Sequence, residues 1–225
     1  MLFDLDDTLY LQEEWLSGAW VTVAEAAHAL YHTDPGEVGS ALRHIASSGT
    51  DRGRIIDRAM AKIGRPEVDT GPLVEAFRGH HSDTLTLDPE TGALLDRLGA
   101  VLPIGLITDG DPTIQHGKLT SLGLTRVFDT IVCSDELGRQ YRKPHPLSFL
   151  VAARQLGVSP SRVAFVGDRP EKDIAGAAAV GMTTIRVRTG EYADRPDDPA
   201  PWRSVADAKA AIRMLLDLNE GMPGA

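Results

Sequence analysis

The chain has 225 residues, a formal net charge of −9, 42% hydrophobic and 24% charged residues, and one cysteine, Cys133. These values exclude a disordered chain and a disulfide-stapled scaffold, and they argue against nucleic acid as a partner, because phosphate neutralisation needs clustered positive charge. The first basic residue is Arg43, and the most apolar early stretch, Trp15 to Tyr31, carries Glu25 and His28. Neither a secretory signal nor a membrane span is therefore expected, and the expected setting is cytoplasmic.

Met1 to Asp4 is predicted as a short strand ending in carboxylates. Residues 11–88 then follow a helical pattern. Leu11, Trp15, Ala19, Val23, Ala27 and Leu30 recur at helical spacing, and further helices are predicted over 36–48, 54–63 and 72–81. Trp15 and Trp20, at that spacing, read as core residues. From Glu90 the pattern alternates. Helices over 90–98, 113–122, 146–156 and 170–180 are interleaved with strands at Val101 to Thr108, Thr130 to Ser134, Val163 to Gly167 and Thr183 to Val187. A loop at 195–201, a closing helix from Trp202 to Leu218 and a frayed tail over 219–225 complete the chain. The fold class expected is α/β: a Rossmann-like parallel sheet with helices on both faces, built from 1–10 and 89–218, plus an inserted helical domain over 11–88. In such sheets a ligand sits beyond the carboxyl ends of the strands.

Four strand or helix ends carry candidate chemistry. In Asp4-Leu5-Asp6-Asp7-Thr8, residues two apart on an extended backbone point the same way, so Asp4 and Asp6 can share a site. Two such carboxylates need a cation or a shared proton, and Mg²⁺ satisfies that need with oxygen ligands. Taken alone, the segment also has an ordinary reading as an acidic helix cap. Asp168 follows the apolar run Val163 to Val166, with Asp173 in the first turn of the following helix, where acids also favour the dipole. Lys143, before Pro144, and Thr108, at a strand end, have ordinary readings as a solvated lysine and a capping hydroxyl. The combination, in this order, is what carries weight.

That combination resembles the haloacid dehalogenase superfamily of phosphohydrolases. Its Asp-x-Asp-x-Thr motif is matched by Asp4, Asp6 and Thr8, its strand-ending Ser or Thr by Thr108, its Lys by Lys143, and its Gly-Asp with a further Asp by Asp168 and Asp173. The stretch Arg139-Gln140-Tyr141-Arg142 before Lys143 is longer than the family's usual spacing. The helical insertion resembles the family's C1-type cap. The resemblance implies that Asp4 is the nucleophile and that Asp6 is the general acid and base, with a raised pKa. It implies Lys143 and Thr108 on the phosphoryl oxygens, and Mg²⁺ held by Asp4, the carbonyl of Asp6, and Asp168, with Asp173 in support. Asp6 argues for a phosphoryl substrate rather than a halide, since a halide leaves without a proton. The activity implied is release of phosphate from a small phosphorylated metabolite, a sugar phosphate among the options. A phosphomutase or a catalytically retired binding module remains an alternative.

Arg54 and Arg58, four apart in the insertion, are the candidate substrate residues, within a basic stretch that includes Arg43, Arg52, Lys62 and Arg65. Lys62 reads as a solvated residue rather than a Schiff-base lysine. His80 and His81 read as surface residues, and Cys133 as a small buried strand residue. Without an HExxH motif or a Cys-His cluster along the sequence, zinc is not expected. Whether the chain is a monomer or a homodimer is left open.

Overall fold

The computed structural model describes residues 1–47, 49 and 53–220. The charged pair Asp51 and Arg52 and the tail from Gly221 lie outside the described residues. The chain divides into two units, Met1–Gln12 with the residues from Thr86 on, and Glu13–Leu85.

The second unit is helical. It contains most of α1 (Gln12–Tyr31), then α2 (Pro35–Ala46), α3 (Ile55–Lys62) and α4 (Gly71–Arg78). Asp34 starts α2 by accepting from the Glu37 amide at 2.8 Å, with Pro35 in the first turn. The apolar stripe of α1 is buried: Trp20, Val23, Ala24 and Ala27 pack with Val38, Leu42, Met60 and Leu73. Trp15 meets the Phe77 ring edge-on and Trp20 stacks on it, so both tryptophans are core residues, as their spacing suggests. His80 is half-buried rather than a surface residue. It packs on Trp15, and its Nδ1 lies 2.8 Å from the Thr22 hydroxyl. Gly18 makes room for it, because a Cβ there would lie 2.9 Å from His80 Nε2.

The first unit holds one parallel sheet. Its strands are β1 (Leu2–Phe3), β2 (Gly105–Thr108), β3 (Thr130–Cys133), β4 (Ala164–Gly167), β5 (Thr183–Val187) and β6 (Arg203–Val205), in the order β3-β2-β1-β4-β5-β6. Register pairs Leu2 with Gly105 and Phe165, and Ile107 with Val132. One sheet face therefore gathers Leu2, Ile107, Val132 and Phe165. Phe149, Ala152 and Ala153 of α8 (Pro146–Gln155) and Ala177 of α9 (Ala175–Ala179) cover it. The helices α5 (Pro89–Gly99) and α10 (Ala208–Glu220) pack on each other, and α10 also meets β5 and β6. Between strands run α6 (Pro112–Ser121) and the short α7 (Ser134–Leu137).

Several boundaries differ from the expected ones. Val101 to Pro103 is not strand: the Val101 and Leu102 amides donate back to Leu98, closing α5, and β2 begins only at Gly105. The helix expected over 170–180 opens as a π-helical turn, Pro170–Ile174, before α9. The stretch before Lys143 is taken up by a 3₁₀ turn, Arg139–Tyr141, after Gly138. The closing helix starts at Ala208 rather than Trp202, because Arg203–Val205 adds an edge strand beside β5, and it continues through Glu220. Among the described residues no helix is long and apolar enough to cross a membrane.

Candidate active site

The sheet order reverses between β1 and β4, the neighbouring strands from which the remaining strands run outward in opposite directions. Crevices at such a point hold the ligand in open α/β sheets. Asp4 follows β1 immediately and Asp168 follows β4, so chain geometry alone sets two carboxylates side by side. The Asp4 amide donates to Val166 O at 2.9 Å, which extends the β1–β4 ladder to the site and fixes the Asp4 backbone.

Lys143 joins these groups. Its ammonium donates to Asp4 and lies 2.7 Å from Asp173 Oδ1. Asp109, just past β2, aims this lysine by accepting from the Lys143 amide at 3.1 Å and from the Ser134 hydroxyl at 2.7 Å. Asp173 is brought in by the π-helical turn, and its other oxygen accepts from the Arg169 amide at 3.0 Å. Residue 167 must be glycine for this arrangement, since a Cβ there would lie 2.6 Å from the Asp173 side chain. Thr8 donates to Asp4 Oδ2 at 3.1 Å.

The electrostatics follow from burial. Asp4, Lys143, Asp168 and Asp173 are each 5% exposed or less. Burial pushes the Asp4 carboxyl up to about 7, with Lys143 pulling against it and Asp173 adding to the rise. Asp168 is driven well above the carboxylate range by burial first, then by Asp173 and Asp4. Burial alone would lower Lys143, but Asp173, Asp4 and Asp109 outweigh it and hold the ammonium charged. One carboxylate oxygen from each of Asp4, Asp168 and Asp173 lies within 4.8 Å of the others. Neither oxygen of Asp168 meets a donor among the described residues. A desolvated, unbonded carboxylate costs several kcal/mol unless a proton or cation meets it, so this donor set fits a hard divalent ion.

Asp6 departs from expectation. Its carboxylate turns to Lys118 Nζ at 2.7 Å, Gln115 Nε2 at 2.9 Å and the Tyr10 hydroxyl at 2.5 Å. Burial works to raise its pKa, but Lys118 and these hydrogen bonds outweigh it, and the net shift is downward. The rise expected from neighbouring carboxylates is thus reversed by a cation the motif does not contain. Gln115 also donates to the buried Thr108 hydroxyl, linking Thr108 to Asp6. Lys118, Gln115 and Tyr10 were not among the expected site residues. The available signal was on α6, where Gln115 and Lys118 interrupt the inward face otherwise formed by Leu119 and Leu122.

Arg54 and Arg58 lie in the helical unit and do not share a helix face. Arg54 precedes α3 in a left-handed conformation (φ 52°), with a side chain 82% exposed and 3.4 Å from Asp57. Only Arg58 belongs to the helix.

Residues 1–181 match the model of the haloacid dehalogenase-like hydrolases, and the chain belongs to that family of hydrolases. It is 36% identical over 234 aligned positions to glyceraldehyde 3-phosphate phosphatase of Methanopyrus kandleri, covering 97% of each chain. It is 33% identical over 187 positions to phosphoserine phosphatase of Thermus thermophilus, covering 82% of this chain and 70% of the relative. Among solved structures, a HAD phosphatase from Thermococcus onnurineus superposes with a TM-score of 0.66 at 22% identity, covering 95% of this chain and 96% of that one.

Proposed function

We propose that this protein is a Mg²⁺-dependent phosphatase of small phosphorylated metabolites that carries the phosphoryl group transiently on Asp4. The observation that carries this reading is the buried cluster of Asp4, Asp168 and Asp173 around Lys143, with both Asp168 oxygens unbonded. Relatives named as phosphatases over most of the chain support the substrate class, and three-carbon phosphates head the candidates. A cytoplasmic setting belongs to the same proposal.

In this mechanism the Asp4 carboxylate attacks phosphorus, and the bond from phosphorus to the substrate oxygen breaks. Asp6 gives its proton to that leaving oxygen, then takes one from the water that hydrolyses the aspartyl-phosphate. Held by Lys118 as a carboxylate, Asp6 is set for the second half-reaction, and the first requires it to gain a proton when substrate binds. Lys143 offsets phosphoryl charge, and Thr108 donates a hydrogen bond to the same oxygens. Mg²⁺, held by Asp4, Asp168 and the Asp6 carbonyl with Asp173 in support, would supply Lewis-acid polarisation of the phosphoryl group. In this reading the helical unit is the family's cap, and Arg58 and Arg54 are its candidate substrate residues.

The test is phosphate release from an aryl phosphate and a panel including glyceraldehyde 3-phosphate and phosphoserine, with Mg²⁺ or chelator. Metal-dependent release that is lost in Asp168→Asn supports the proposal. Release unchanged by chelator, or none from well-folded protein with Mg²⁺, contradicts it.

A further inference from the structure

A second cluster of metal-binding side chains lies at the carboxyl end of β3 and shares no residue with the carboxylate cluster. His116 on α6, Cys133 at the end of β3 and Glu136 on α7 bring one donor atom each to within 4.8 Å of one another. His116 Nε2 lies 3.0 Å from Glu136 Oε1 and 3.9 Å from Cys133 Sγ. Tetrahedral zinc, with bonds of about 2.0 Å to nitrogen and oxygen and about 2.3 Å to sulfur, places N and O about 3.3 Å apart and S and N about 3.5 Å apart. These two pairs therefore need to shift by only about 0.3–0.4 Å.

The surroundings hold the donors in place. Asp135, next to Glu136, takes a two-point bond from Arg142 at 2.5 and 2.6 Å, and Ser134 is tied to Asp109 at 2.7 Å, so α7 is anchored at its start. Cys133 is buried on the sheet, in register with Thr108. His116 and Glu136 are about half exposed, with side chains 53% and 49% accessible, which leaves a path from solvent and a fourth position for water. A soft thiolate and a borderline imidazole together discriminate against Mg²⁺.

We propose that His116, Cys133 and Glu136 form a binding site for a thiophilic divalent cation, with Zn²⁺ as the fitting ion. No motif spacing along the chain announces this site: the other two ligands are 17 and 20 positions from His116, and the three meet only in the fold. Cation binding releases the thiol proton of Cys133, since the thiolate is the ligand form.

Co²⁺ titration of Mg²⁺-saturated protein tests this, because the carboxylate cluster is then filled and offers only oxygen. Cys133 is the sole cysteine, so any thiolate-to-cobalt charge-transfer absorption reports that residue. The expected result is a band saturating at one Co²⁺ per chain, displaced by Zn²⁺ and lost in Cys133→Ser. His116→Ala and Glu136→Gln, at half-exposed positions, should each weaken the affinity by about tenfold or more. No band in the wild type, or one whose affinity is unchanged in both surface variants, would overturn the site.

Discussion

Lys118 Nζ sits 2.7 Å from Asp6 Oδ1, although the two residues are 112 positions apart, and both side chains are largely withdrawn from solvent. This pair decides the protonation of the proposed acid–base residue in the resting state. Lys118→Met should leave a mostly buried carboxylate without its cation. The expected cost is roughly 3 kcal/mol, the low end for one-sided removal of a buried pair, since Asp6 keeps some contact with water. Asp6→Asn in the same background should recover part of that loss. Urea unfolding of the two single variants and the double variant measures the coupling, and simple additivity would mean the pair is not coupled.

The carboxylate cluster makes stability depend on pH in chelator. Asp4 rises from 3.8 to about 7 in the folded protein, and Asp168 rises too. Groups raised on folding contribute stability that is fully present below their unfolded value and is lost as pH rises through the folded value. The melting temperature in chelator should therefore fall between about pH 4 and pH 7. Asp6 and Asp197 shift the other way, so their contribution is lost toward acid. Mg²⁺ at 100 times its dissociation constant should restore about 2.7 kcal/mol at pH 8. Asp168→Asn should raise the melting temperature in chelator at that pH and abolish the response to Mg²⁺. A thermal scan series across pH reads all of this, and a melting temperature that climbs from pH 4 to 7 in chelator would count against it.

Asp7 has a different task from its two neighbouring aspartates. It sits at φ 58°, accepts from the Gln12 amide at 2.9 Å and the Glu191 amide at 3.2 Å, and its carbonyl accepts from Thr189. This staples the first motif to the loop after β5. Gly190, at φ +64°, makes the contact possible, because a Cβ there would lie 1.9 Å from Asp7 Cγ. Gly190→Ala should cost about 1–2 kcal/mol for the left-handed backbone alone, and more for the displaced carboxylate. Chemical denaturation checks the size, and a loss under about 0.5 kcal/mol, the range of ordinary surface substitutions, would show that the loop simply moves aside.

What the sequence made legible follows from how local each signal is. Asp4, Thr108 and Asp168 could be found because each ends a short apolar run, and a parallel sheet forces such ends onto one edge. Lys143 and Asp173 stand out only weakly, at helix starts, and it is the family resemblance that implies a role for them. By contrast, β6 carries no apolar run. Arg203 and Ser204 are exposed, and the strand exists because the Trp202 amide donates to Thr184 O at 2.9 Å and the ladder continues beside β5. Val101 failed in the opposite sense, as an apolar residue that closes a helix and is 51% exposed. The direction of the Asp6 shift was illegible because Lys118 reaches it only through the packing of α6 on the sheet. Arg186 is a further case: fully buried on β5, it donates to the carbonyls of Asp168 and Tyr192 and to the Asp197 carboxylate, an anchor no motif announces.

Acid quench of the Mg²⁺-loaded enzyme during turnover, followed by peptide mass spectrometry, reads out directly whether Asp4 carries the phosphoryl group. One phosphoryl group is expected on Asp4, absent from Asp4→Asn, which should also lose turnover. In Asp6→Asn the label should persist, while turnover falls by roughly 10²–10⁴-fold, the usual contribution of a positioned acid or base. Turnover that survives in Asp4→Asn, or a phosphoryl group found on any other residue, would contradict this role of Asp4.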